Sequence, residues 1–219
     1  MCNNLRKQKT IIRTTIRQYR RKLTCAQQKS AADKITQRVL VHKLIQSAFH
    51  IGCFFSFDGE ISTDLLIQNL LYQKKKIYLP TLDPLHHSQL LFTNYCHDTF
   101  LIRNRFNIFE PMLSDNNISS KNIITISQLD VLFVPLVAFD KHGQRLGMGG
   151  GFYDRLLLNW RKKNFFPIGL AHDCQLVDKI PSEKWDMPLP EIITPSKRWR
   201  NNLTAINTIL LLLNNMVFN

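Results

Sequence analysis

Val131-Leu132-Phe133-Val134-Pro135-Leu136-Val137-Ala138-Phe139 is the strongest buried-strand signal in the chain, and Arg145-Leu146-Gly147-Met148-Gly149-Gly150-Gly151-Phe152-Tyr153-Asp154-Arg155 follows it. An apolar run with no alternation reads as a strand covered on both faces. Its Pro135 argues for a bulge or an edge position, because proline gives the ladder no donor. The second segment places four glycines between two arginines and feeds a helix expected over 153–161. A glycine loop between a strand's carboxyl end and a helix N-terminus is where open α/β sheets bind phosphorylated ligands. Glycine lacks Cβ and tolerates positive φ, so backbone amides there can approach an anion. Arg145 and Arg155 add charge, and Asp154 is the residue type a magnesium ion bridging phosphates requires. A plain glycine-rich turn with solvated charges fits the glycines alone equally well. Neither standard nucleotide motif is present: no Lys-Ser or Lys-Thr follows the glycines, and the third glycine of G-x-G-x-x-G falls on Phe152.

Outward from that core, the pattern is one of alternating helices and strands. Residues 5–22 read as a basic amphipathic helix with Leu5, Ile12, Ile16 and Tyr19 recurring among cations. Thr24 and Gln27 have capping-box spacing for a helix running toward Phe49. Ile51-Gly52-Cys53-Phe54-Phe55-Ser56-Phe57 reads as a buried central strand, and Asp58-Gly59 as a turn. A helix is expected from Ser62, Thr63 and Asp64 through Leu71, ending in Lys74, Lys75 and Lys76, cations that would complement its dipole. Ile77-Tyr78-Leu79-Pro80 completes a βαβ unit. Residues 81–128 are less regular, with a strand near Leu90–Phe92 and a polar loop at Ser114–Lys121. Phe166–Ala171 and Ile192–Thr194 read as further strands, and the tail from Asn201 as a terminal helix with no functional residue to name.

The 219 residues suit one domain, expected over 1–200, with 201–219 as a C-terminal extension of unknown role. The net charge is +13, and the first 32 residues hold nine Lys or Arg and no acidic side chain. Such a field favours an anionic partner of some kind without choosing among them. A nucleic-acid module is the rival from another class, but Tyr19 is the only aromatic among the early cations, whereas single-strand binders space stacking rings among theirs. Five cysteines without a C-x-x-C pair suggest neither a disulfide framework nor a zinc site, which points to a reducing cytoplasm. No apolar segment follows the early basic residues, so no secretory signal is read. The run Ile209–Leu213 is short of the roughly 20 residues that span a bilayer.

Taken together, Phe54-Phe55-Ser56-Phe57-Asp58-Gly59-Glu60, Val134-Pro135-Leu136-Val137-Ala138-Phe139-Asp140, the glycine loop and Trp185-Asp186-Met187-Pro188 resemble the 5-formyltetrahydrofolate cyclo-ligase family. The likeness runs in order from about Lys9 to Thr194, and its specific core is R-L-G-M-G-G-G-F-Y-D-R after V-P-L-V-A-F-D. The resemblance implies a three-layer α/β/α fold with a Rossmann-like, mostly parallel sheet, akin to sugar-phosphate isomerases and coenzyme A transferases. It also implies an ATP-dependent, Mg2+-requiring ligase that closes 5-formyltetrahydrofolate, with or without a polyglutamate tail, to 5,10-methenyltetrahydrofolate. A cytoplasmic monomer is expected, with no nucleic-acid or membrane partner. An isomerase or acyl transferase on the same fold, needing no ATP, is the other rival, since fold alone does not settle function.

Residue by residue, the resemblance assigns ATP contacts to Lys9, Thr10, Ile11, Ile12 and Arg13 and to Arg145, Leu146, Gly147, Met148, Gly149, Gly150, Gly151, Phe152 and Tyr153. Substrate contacts fall to Phe55, Glu60, Met148, Gly149, Gly150, Gly151 and Phe152, magnesium to Asp154 and Asp186, and the catalytic cation is Arg145. On a helix, Lys9 and Arg13 share one face and reach consecutive phosphates, although a solvated basic face has the same spacing. Arg6, Lys7 and Arg17 leave that register open by one turn. Glu60 would accept paired N–H donors from a pterin; a surface Glu at a helix start looks the same. Phe152 and Tyr153 would stack on a flat ring or anchor their helix to the sheet.

Overall fold

The structure is a computed structural model that describes residues 2–86, 88–113, 122–158, 160–183 and 186–201. The expected loop at 114–121, Trp185 of W-D-M-P and the tail from 202 therefore lie outside the described residues. In chain order the elements are helices α1 (Cys2–Arg21), α2 (Cys25–Leu40) and α3 (Lys43–Ser47), strand β1 (His50–Gly52), helix α4 (Asp64–Tyr72), and strands β2 (Lys76–Leu82), β3 (Leu90–Tyr95), β4 (Leu101–Arg103), β5 (Phe109–Pro111) and β6 (Ile123–Ile124). Then come β7 (Val131–Pro135), β8 (Ala138–Phe139), β9 (Arg145–Leu146), helix α5 (Phe152–Leu157), and strands β10 (Phe166–Leu170), β11 (Glu191–Ile193) and β12 (Arg198–Arg200).

Eight strands form one sheet in the order β12-β11-β10-β7-β1-β2-β3-β6. Its centre, from β11 through β2, is parallel, and the pairings of β12, β3 and β6 are antiparallel. The apolar run of β7 explains the layering. Val131 and Phe133 point into one core with Ile35 and Val39 of α2 and Leu66 and Leu70 of α4. Leu132 and Val134 point into the other with Leu157 of α5, Trp160 and Phe165. A strand whose successive side chains are all buried needs a layer on each face, which is the three-layer α/β/α arrangement the sequence implies.

Several element boundaries differ from the sequence reading. β7 lies between β10 and β1 and stops at Pro135; β1 pairs only as far as Leu132, so this proline ends a central strand where only β10 still pairs, opposite Leu170. The rest of the run, Ala138–Phe139, pairs with Arg145–Leu146 in a separate hairpin, and the glycine loop therefore follows a hairpin rather than the strand itself. β1 ends at Gly52; Cys53 N–H still donates to the Tyr78 carbonyl of β2 (2.8 Å), and residues 54–57 lie outside any strand. The helix after Thr24 begins on the expected capping box, with Gln27 N–H donating to Thr24 Oγ1 (3.2 Å) and Thr24 N–H to Gln27 Oε1 (2.8 Å). It breaks at Val41, and His42 caps α3 by accepting from Leu44 N–H at 3.1 Å. α4 ends at Tyr72, and the first two lysines cap it: Lys74, at a left-handed φ of 62°, donates its N–H to the Leu71 carbonyl (2.9 Å) and Lys75 N–H to the Leu70 carbonyl (3.0 Å), while Lys75 Nζ donates to the Gln46 and Ala48 carbonyls at the end of α3. The helix expected over 153–161 spans only Phe152–Leu157, with a separate 3₁₀ turn at Trp160–Lys162.

Among the described residues no helix is long and apolar enough to cross a membrane.

Candidate active site

β1 and β7 are neighbours, but β1 continues to β2 on one side while β7 continues to β10 on the other. Chains leaving the carboxyl ends of adjacent parallel strands in opposite directions open a crevice, the usual ligand site of such sheets. From β1 comes segment 53–60, carrying Phe55 and Glu60; from β7 come Leu136 and then the glycine loop. Between them lies a pocket of about 390 Å³, within the ordinary range for small-molecule sites. Phe55, Glu60, Arg145, Gly147 through Tyr153 and Asp154 all line it. A wall not foreseen comes from the hairpin of β4 and β5, with Asn104, Phe106 and Phe109 facing the same space.

Two of the loop's glycines need positive φ, 104° at Gly149 and 69° at Gly151, the residue before α5. A Cβ on Gly151 would lie 2.7 Å from Arg155 Nη1. Arg145 is buried, and its Nη2 donates to Asp154 Oδ1 at 2.6 Å while its Nε has no hydrogen-bond partner. Burial pushes this guanidinium's pKa down, opposed by the Asp154 charge. A desolvated cation with one spare donor at a pocket wall is suited to an anionic ligand.

α1 approaches the loop from outside the pocket. Arg13 Nε donates to the Gly147 carbonyl at 2.8 Å, and Lys9 Nζ donates to Glu183 (3.0 Å) and Asp186 (2.9 Å). Lys9 and Arg13 thus share a face directed at the site. Burial acts to lower the Lys9 pKa, but its bonds to Asp186 and Glu183 prevail and raise it. Thr10 and Ile11 are not brought in: Thr10 Oγ1 donates to the Arg6 carbonyl within the helix, and Ile11 is exposed. Ile12 packs beside Ile16 and Leu146 in a small core between α1 and the hairpin of β8 and β9, so Leu146 also serves packing. The two aromatics divide their tasks. Phe152 meets Phe106 edge-on at 5.9 Å, whereas Tyr153 packs into the core beneath α5 with its hydroxyl unpartnered.

Glu60 sits on the pocket's opposite side with a 9% exposed side chain. Its Oε2 accepts from Phe57 N–H at 3.2 Å. Burial pushes its pKa up to about 7, with Arg20 opposing the rise and Asp58 adding to it. Beside it lies a group that the sequence reading passed over. Arg17, Arg20 and Arg21 of α1 all converge on the buried Asp58, at the turn before Glu60. Asp58 takes a left-handed φ of 53°, as the turn requires. Burial acts to raise its carboxyl pKa, but the bonds from Arg17, Arg21 and Arg20 hold it below the usual range. The clue was available in part: Arg17, Arg20 and Arg21 recur at helical spacing, and their common partner was hidden in a turn 37 or more residues away.

Residues 5–195 match the model of the 5-formyltetrahydrofolate cyclo-ligase family. The chain belongs to that family. The 5-formyltetrahydrofolate cyclo-ligase of Haemophilus influenzae is 50% identical over 182 residues, spanning 83% of this chain and 95% of that protein. The 5-formyltetrahydrofolate cyclo-ligase of Escherichia coli K12 is 48% identical over 184 residues, 84% of this chain and 98% of that one. Among solved structures, the 5,10-methenyltetrahydrofolate synthetase of Aquifex aeolicus superposes with a TM-score of 0.75 over 89% of this chain and 93% of its own, at 23% identity, a likeness of fold. In cyclo-ligase terms the match covers the segments bearing Lys9, Glu60, the glycine loop and Asp186, the same segments that meet around this crevice.

Proposed function

We propose that this chain carries out the ATP-dependent cyclisation of 5-formyltetrahydrofolate to 5,10-methenyltetrahydrofolate, with release of ADP and phosphate, at the crevice between β1 and β7. One observation supports this above the others: an anion-suited wall, made by the glycine loop and Arg145, faces a pterin-suited wall, made by Phe55 and Glu60, across one pocket. The formyl oxygen attacks the γ-phosphorus of ATP, the bond to ADP breaks, and the neighbouring folate nitrogen then attacks the activated carbon, expelling phosphate. The attacking oxygen carries no proton, so the phosphoryl transfer needs no protein base, and the proton that the attacking nitrogen loses on ring closure leaves with the expelled phosphate. What the chain supplies is alignment and charge. Arg145 lies where the transferring group gains negative charge, and Lys9 and Arg13 reach the same phosphates from α1. Phe55 and Phe152 sandwich the folate's flat portion, and Glu60 accepts the pterin's paired N–H donors.

The residues present fit a magnesium ion. Asp154 is bonded to Arg145 and Asp186 to Lys9, and Arg13 and Arg145 each feel the charges of both carboxylates, so both stand beside the cations that flank the glycine loop. Mg2+ is commonly held by one or two carboxylates together with substrate phosphates, so no larger protein cage is required. When bound, the ion would neutralise phosphate charge; Lys9 and Arg145 neutralise the two carboxylates in its absence. The reading carries with it a monomeric cytoplasmic enzyme that takes folate with or without a polyglutamate tail. Its test is the methenyl product's absorbance from 5-formyltetrahydrofolate and Mg2+, with and without ATP. ATP-dependent product is expected; its absence overturns the proposal.

A further inference from the structure

One group beside the pocket has no place in the reaction just described. Arg20 is fully buried at the end of α1, where its guanidinium holds three acceptors on two segments of the site. Nε donates to the Asp58 carbonyl (2.8 Å), Nη2 to Asp58 Oδ2 (3.0 Å), and Nη1 to the Leu136 carbonyl (3.4 Å). Nη1 also lies 3.9 Å from Glu60 Oε1. Leu136 follows β7 and Asp58 follows β1, so one side chain ties together the two segments that form the crevice. The Leu136 carbonyl also accepts from Gln175 Nε2 at 2.6 Å, which fixes it from the far side. A buried arginine is costly unless all its donors serve, and here they bond the backbone that presents Glu60.

Resting on the function proposed above, we infer that Arg20 is a positioning residue for folate: it fixes the turn carrying Glu60 and supplies that carboxylate's cationic neighbour, without touching nucleotide. Every charged group facing Glu60 enters its behaviour. These are Arg20 from α1, Asp58 from its own turn and Tyr153 from α5, whose hydroxyl pKa is raised by burial and then by Glu60; the backbone of Gly59 and Glu60 also faces His172. Arg20 is the one cation in that set bonded to the turn itself. The geometry separates it from Lys9 and Arg13, which lie on the same helix but reach the glycine loop and its acidic neighbours.

The test compares Arg20→Lys and Arg20→Met with the wild-type enzyme, measuring KM for 5-formyltetrahydrofolate, KM for ATP, and kcat/KM for folate against pH. Lysine keeps the charge but cannot span three acceptors as a guanidinium does, so folate KM should rise about tenfold with ATP KM within about twofold. The acid limb of the folate profile should stay in place. Methionine removes the charge, so that limb should move about one pH unit upward in addition. A merely structural arginine would change both KM values together and leave the limb where it was, and that result overturns the inference. Should the Met variant not fold, Asp58→Asn, which loosens the same turn from its other side, must raise folate KM selectively; an unchanged value overturns it. Wild-type enzyme without ATP-dependent product would instead remove the proposed function, so the two failures are distinguishable.

Discussion

Replacing Asp58 by Asn tests whether the three arginines of α1 form one stabilising cluster or a solvated face. Asn is the choice because it keeps the side-chain shape and tolerates left-handed backbone, so the 53° φ adds little cost. What changes is one carboxylate oxygen, which becomes an NH₂ facing guanidinium donors. The side chains of Arg21 and Arg17 are 54% and 34% exposed, and pairs of that kind contribute about 0–1 kcal/mol each. Arg20 is fully buried against an Asp58 side chain that is 5% exposed, and breaking such a pair costs about 3–5 kcal/mol because a charge is left without its partner. The buried pair therefore decides the total. Urea unfolding should show Asp58→Asn less stable by about 3–5 kcal/mol, and Arg21→Ala by under about 1 kcal/mol. At about 2–4 °C per kcal/mol for a chain of this size, the Asn variant melts about 6–20 °C lower.

The same substitution has a definite pH signature. The folded Asp58 pKa is depressed, so its contribution is fully present above the unfolded value, about 3.9, and is lost as pH falls through the folded one. The gap between wild type and Asp58→Asn should be constant from pH 5 to 8, about the range where the carboxylate is ionised in both states, and narrow below about pH 4. Equal costs for Asp58→Asn and Arg21→Ala, or a gap that persists undiminished in acid, would refute the assignment of a buried ion cluster.

Three further outcomes are expected. With Glu60 pushed up to about 7 by burial, kcat/KM for folate should fall about tenfold per unit below that pH, and Glu60→Gln should lower the plateau and abolish the limb; a limb surviving in Glu60→Gln means another group titrates. His172 is held down to about 4 by burial and by Arg20, so as pH drops from its unfolded pKa near 6.5 to about 4 the unfolded chain binds the extra proton and stability is lost, by at most about 3 kcal/mol; His172→Gln should flatten that slope in acid urea titrations. Gly151→Ala should cost about 1–2 kcal/mol for the 69° φ, since Arg155 is exposed and can yield, and should raise ATP KM, with Gly151→Asn milder on both counts; equal effects of Ala and Asn would argue against a backbone origin.

Much of this fold is legible because its signals are local. The run from Val131 announces a strand buried on both faces, and the Thr24–Gln27 spacing announces a helix start, since each depends on neighbours within a few residues. Boundaries fail where apolar character reports burial without reporting pairing. Phe54 is buried in the core and Phe55 and Phe57 line the pocket, so 51–57 is apolar apart from Ser56 although only its first two residues belong to a strand. Ala138 and Phe139 are equally buried but pair with a hairpin partner instead of the sheet. The glycine loop was readable as part of a candidate ligand pocket because glycine content and flanking arginines are properties of one segment. The wall from Asn104, Phe106 and Phe109 was not, because nothing local distinguishes a pocket-facing hairpin from an irregular stretch.

The reading of α1 shows what sequence pattern leaves undecided. Nine cations without an acid in the first 32 residues is a strong field, and both a nucleic-acid surface and a phosphate grip follow from it. The structure divides the helix by function instead of by charge. Lys9 and Arg13 meet the acidic pair Glu183 and Asp186 and the glycine loop, and Arg17, Arg20 and Arg21 meet the turn before Glu60. A rigid helix bonded at both ends to opposite walls of one crevice constrains their separation, and the walls are those assigned to the phosphate donor and to the folate. The formyl oxygen and γ-phosphorus must meet in line for transfer, so under the function proposed above the span of α1 between Arg13 and Arg20 contributes to the alignment that this chemistry demands.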